Sequence, residues 1–169
     1  MAVEVVLIQR YALFIGASLY SIATVLLTLL VAAGIGSRLS TRVSDGVAFF
    51  GIVIWLVLEV AVFRGLTGAL PSLTLAARVL LAVLLLFPLG FFMGMPFPKA
   101  VLRVGDLVDW GFAVNGTASV LGATAAIMIA FTYGFVAALL CAAAVYLGAY
   151  GLLRWRARWE IVPTTSHSP

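Results

Sequence analysis

Charge is what this chain has least of: Asp, Glu, Lys and Arg make up 9% of its 169 residues, against roughly 25% in soluble domains. So little polar surface cannot meet water on every side, which excludes a soluble globular domain. Histidine and cysteine are scarce as well. The only histidine, His167, stands in the C-terminal tail, so a Ser/His/Asp or Cys/His arrangement has no base. The only cysteine, Cys141, lies in the last apolar run, so there is neither an intramolecular disulfide nor a cysteine pair for zinc. It is expected to be a buried, inert thiol. No P-loop is present, no cofactor is implied, and no metal site can be composed. Asp106 and Asp109, beside Lys99 and Arg103, are spaced for local ion pairs and lack a further ligand.

What the chain does have is apolar length. Hydrophobic residues make up 64% of it and the mean hydropathy is +1.22. The fold class that fits is an all-α polytopic transmembrane bundle, with the lipid bilayer as its first partner. A span needs about 20 apolar residues. Five stretches qualify: about 11–33, 46–63, 75–93, 110–131 and 135–153. The last two are separated only by Thr132, Tyr133 and Gly134, which forces an antiparallel hairpin. The first has no basic leader and exceeds the 7–15 residues of a signal-peptide core, so it reads as a span. Residues 1–160 then form one membrane domain, and 161–169 a disordered tail.

Ten Lys and Arg against six Asp and Glu give a net charge of +4. The cations sit at the ends of the apolar runs, so they read as topology signals rather than as a nucleic-acid surface. Arg38, Arg42, Lys99, Arg103, Arg154, Arg156 and Arg158 share one side of a five-span arrangement, and Arg10, Arg64 and Arg78 the other. The richer side is expected in the cytoplasm, with the C-terminus inside and the N-terminus outside. An outside N-terminus without a signal sequence implies a helix upstream. Trp155 and Trp159 read as an interfacial belt.

Several residues stand out within the spans. Glu59 lies deep in the second, where an ionised carboxylate costs roughly 2.5–3.5 kcal/mol on insertion scales. It is either paired, with Arg64 or Arg78, or a site for a proton or cation. Gln9 and Arg10 are interfacial if the chain starts at Met1, and ligand-binding candidates if apolar residues precede them. Asn115 and Ser119, four apart, are interhelical hydrogen-bond partners or ligand contacts. Pro88 removes a backbone bond late in the third span, Gly90 and Gly94 leave a groove for another helix, and Pro96 and Pro98 are expected to end the helix. This segment is a closely packed helix end or a hinge lining a pathway. Ala118, Gly122, Ala126 and Ala130 form a small-residue stripe for close helix packing.

Three segments resemble the membrane portion of bacterial spermidine synthase-like (polyamine aminopropyltransferase-like) membrane proteins. They are Glu4 to Gly16 with Tyr20, Ser21 and the closing Gly34 to Ser37; Pro88 to Lys99; and Trp110 to Gly122. The resemblance implies a bacterial inner-membrane location, a connection with polyamines or similar amines, and a soluble aminopropyltransferase-type domain as partner. The glycine-rich turn and acidic residues of that catalytic domain are missing here, so no aminopropyl transfer is expected of this chain alone. Relative to the family the chain looks shortened before Glu4. Two other readings stay open. One is a half-transporter for a small cationic solute, since five helices and one upstream would make half of a major-facilitator-like carrier, pairing with itself or with a second membrane half. The other is a structural assembly partner resting on the stripe, as a homo-oligomer.

Overall fold

A computed structural model describes residues 1–16, 19–66 and 73–159, except for the side chains of 66 and 156–159. The tail expected to be disordered, 161–169, and the side chain of Trp159 lie outside the described residues. In lipid every backbone polar group must be bonded within the chain, and helices do this locally. The described residues accordingly form helices and no strand. Their order is α1 (Ala2–Ile15), α2 (Leu19–Leu39), α3 (Asp45–Leu66), α4 (Leu75–Met93), the short α5 (Pro96–Val104), α6 (Val108–Tyr133) and α7 (Phe135–Trp159). Four helical stretches are long and apolar enough to cross a membrane: Leu19–Arg42, Asp45–Gly65, Leu75–Tyr133 and Phe135–Trp155. The third of these contains both α4 and α6, on either side of α5. The chain is an all-α membrane bundle.

The expected first span, 11–33, is in fact two helices. Gly16, at φ 128°, takes a backbone conformation that side-chain-bearing residues avoid, and it ends α1 before α2 begins. The 14 residues of α1 rise only about 21 Å. Too short to cross alone, α1 is threaded through the bundle and packs on α2, α4, α6 and α7. Its Val3, Val6, Leu7, Tyr11, Phe14 and Ile15 are all buried. Met1 and Glu4 line the same cleft as Asp45, Lys99 and Leu153. Ala2 lies against Gly122, midway along α6, so α1 runs from the middle of the bundle to the end away from Lys99. At the far end, Arg78 of α4 donates from Nη1 to the Phe14 carbonyl at 3.4 Å, satisfying a C-terminal group of α1.

The most extensive helix pair is α2 with α4, and its backbones nearly touch. A Cβ on Gly36 would lie 1.9 Å from the Phe91 carbonyl oxygen, and one on Gly94 would lie 2.2 Å from that of Ala33. Gly90 faces Ala32 Cβ at 3.0 Å from the same notional position. Such an approach supplies the van der Waals contact that lipid-immersed helices rely on. Pro88 does not break α4, which runs on to Met93. Proline at 88 deprives the Leu84 carbonyl of its intrahelical donor. One residue further on, Trp55 Nε1 of α3 donates to the Leu85 carbonyl at 2.6 Å, tying α3 to α4 beside the proline.

As expected, α4 ends just before Pro96, at Met93; Pro96 and Pro98 also begin α5, with proline at its first position, where a missing N–H costs nothing. Residue Lys99 of α5 is buried and donates to Asp45 Oδ1 at 3.0 Å and to the Val43 carbonyl. Arg103 pairs with Asp45 Oδ2. The expected local pairing with Asp106 and Asp109 is thus replaced by a bridge to the N-terminus of α3, where a carboxylate also meets the positive end of the helix dipole. The hairpin of α6 and α7 is as tight as expected: Gly134, at φ 90°, is its one connecting residue.

Candidate functional site

Five side chains from α1 and α3 converge inside the bundle. Both helices are apolar and contribute to one buried core, which includes Leu7 of α1 and Ile52 and Leu56 of α3. Into it α1 projects Arg10, Tyr11 and Phe14, and α3 projects Glu59 and Phe63. Glu59 and Tyr11 are both 0% exposed, and Arg10 is 5% exposed. The Tyr11 hydroxyl donates to Glu59 Oε1 at 2.7 Å. The second carboxylate oxygen, Oε2, has no hydrogen-bond partner, and neither does Nη1 of Arg10. Arg10 is close enough to act on Glu59 electrostatically. Its guanidinium carbon, however, lies over the face of the Phe63 ring, 4.0 Å from the centroid, within the range of a cation–π contact. Tyr11 and Phe14 turn against Phe63 at centroid distances of 5.4 and 5.3 Å.

The arrangement is a carboxylate bonded to a hydroxyl, with a cation held beside them on an aromatic face, in an apolar interior. Buried polar atoms are nearly always hydrogen-bonded. Two orphans, one anionic and one cationic, within a single cluster mark a place where the chain has left bonding capacity unused. One of the two readings of Glu59 pairs it with Arg64 or Arg78. Its partner is Tyr11, and Arg78 instead reaches the Phe14 carbonyl. Arg10, expected at the interface for a chain starting at Met1, is buried, because α1 lies inside the bundle. Gln9 is half-buried and makes none of these contacts. Tyr11 and Phe63 escaped the sequence reading: each is an ordinary aromatic in an apolar run, and nothing local ties Tyr11 to a residue 48 positions away.

The other expected residues lie elsewhere. Asn115 is exposed on α6 and lines a cleft of about 710 Å³ with Asp45, Lys99, Arg103 and Tyr146. Ser119 lines a second cleft, of about 320 Å³, between α1, α6 and α7, together with Ala118, Gly122, Ala126 and Cys141. Among the described residues neither Asn115 nor Ser119 bridges to another helix. The small-residue stripe is only half packed. Ala126 and Ala130 are buried, Ala118 is exposed, and a Cβ on Gly122 would meet only Ala2 Cβ, at 3.6 Å. Cys141, expected to be buried, is exposed, because α7 turns Ala138, Leu139 and Ala143 inward instead.

Fold and cluster together define an all-α membrane bundle with a buried acid, hydroxyl and guanidinium in its interior. Comparison of the chain with family models, with curated proteins and with solved structures gave no match.

Proposed function

We propose that this protein is a membrane-embedded amine-handling domain that binds a small organic cation at Glu59 and carries out no bond-making chemistry of its own. The observation that supports this is the fully buried carboxylate of Glu59 with one oxygen unpartnered. An acidic side chain inside a membrane bundle is a functional site by default, and a carboxylate framed by aromatic rings suits an ammonium or guanidinium group. The three segments resembling spermidine synthase-like membrane proteins point to the same ligand class. In this reading the bundle lies in the bacterial inner membrane. The end bearing Arg38, Arg42, Lys99, Arg103 and Arg154 faces the cytoplasm, in keeping with the positive-inside rule. There it could serve a soluble aminopropyltransferase-type partner.

The test is equilibrium binding of radiolabelled spermidine and of propylammonium to the protein in lipid nanodiscs. Glu59→Gln keeps an oxygen for the Tyr11 hydroxyl and removes the charge. It is expected to weaken binding at least tenfold while thermal unfolding stays cooperative. Equal affinity in the two proteins would refute the assignment of the cation to Glu59.

A further inference from the structure

The place that a bound cation would take beside Glu59 already holds one. Arg10 lies on the face of Phe63 and is felt by Glu59. Yet it has not closed onto the carboxylate, since Nη1 and Oε2 are both without partners. A structural Arg–carboxylate pair normally joins fork to fork through two parallel hydrogen bonds, and that geometry is its main advantage over lysine. Here the guanidinium stands in the aromatic part of the cluster and leaves half of the carboxylate open. Resting on the reading of Glu59 as a cation site, we propose that the Glu59 carboxylate, the Tyr11 hydroxyl and the Phe63 face form a cage for a guanidinium or primary ammonium group. Arg10 is its built-in occupant, which an incoming cation displaces.

Electrostatics makes the two cations alternatives. With Arg10 in place, the cluster holds one negative and one positive charge and is neutral. A second cation arriving beside Arg10 would leave a net positive charge in an apolar interior, which is strongly disfavoured. With Arg10 swung out of the cage, the incoming cation restores its neutrality. The ligand's N–H groups would meet Oε2, and its charge the ring face that Arg10 vacates. Affinity in the native protein is lowered by the cost of displacing the resident guanidinium, as for any ligand whose competent state is a minor one.

The experiment removes the occupant and supplies it from solution. Arg10→Ala in nanodiscs is titrated with methylguanidinium and, separately, with propylammonium, with thermal unfolding and direct binding as readouts. The expected result is a saturable rise in melting temperature and binding at least tenfold tighter than to the native protein. The double variant Arg10→Ala/Glu59→Gln should lose both effects. Arg10→Met, which keeps the bulk of the side chain, is expected to behave like Arg10→Ala and serves if the smaller residue does not fold. If the native protein binds amine in a Glu59-dependent way and Arg10→Ala binds no more tightly, Arg10 is not the occupant, and the reading of Glu59 survives. If neither variant binds, or neither folds even with methylguanidinium present, the cage is overturned.

Discussion

At the scale of single residues, the hydroxyl of Tyr11 is the one hydrogen-bond donor on Glu59 among the described residues. In water its loss would matter little, because solvent would replace it; at 0% exposure no water is at hand. Tyr11→Phe is therefore expected to destabilise the bundle by about 1–3 kcal/mol, the cost of a buried acceptor left unmade. The measurement is the melting temperature in a fixed detergent. A change within error would mean that the carboxylate finds another donor, with Arg10 the nearest. Glu59 was conspicuous in the sequence because a carboxylate amid Trp55 to Phe63 breaks an apolar run. Tyr11 was not, because a tyrosine in such a run is common and only folding shows what its hydroxyl meets.

Glycines sort by neighbour rather than by spacing at the scale of helices. Gly90 and Gly94 are four apart, as are Ala118 and Gly122, yet the two pairs have opposite surroundings. The first pair faces α2 at backbone contact. The second borders an open cleft. Gly36→Ala must push its methyl against the Phe91 carbonyl, 1.9 Å from the notional Cβ, and is expected to cost about 1–3 kcal/mol or more by overpacking. Gly122→Ala meets an ordinary 3.6 Å contact and is expected to be neutral or to stabilise by up to about 1 kcal/mol through helix propensity. Thermal unfolding of the two variants side by side decides the matter. Equal effects would mean that the α2–α4 crossing is looser than its geometry. Proline shows the same dependence on context: Pro88 lies inside α4, whereas Pro96 opens α5 after α4 has ended at Met93.

For the molecule as a whole, the break at Gly16 decides the topology. One continuous first span would carry α1 straight on into α2; the break lets α1 fold back into the bundle, with Ala2 against Gly122 midway along α6. Reporters inserted between Thr41 and Ser44 or placed after Trp155 are expected to report the same side. One inserted at Gly134 should report the other side. A reporter at Gly134 that sides with the one after Trp155 would overturn the antiparallel α6–α7 hairpin. The bundle is also unevenly filled. Of α6, Ala126 and Ala130 are the buried residues, while Trp110, Phe112, Val120 and Leu121 are exposed, as suits a helix with lipid along most of its length.

Composition and run length by themselves determined that this is a helical membrane bundle, placed four of its long helices to within a few residues, and singled out Glu59. These follow from local physics: lipid demands apolar side chains and internally bonded backbone, and both demands are written residue by residue. Tertiary structure alone decided the rest. That Tyr11 bonds Glu59, that Arg10 lies on Phe63 and not at the interface, that Asp45 takes Lys99 and Arg103, and that Gly36 and Gly94 rather than Gly122 form the close crossing all depend on residues far apart in sequence. Such contacts are set by how helices turn and cross. In a chain apolar on nearly every face, no hydrophobic stripe tells a helix which side to turn inward.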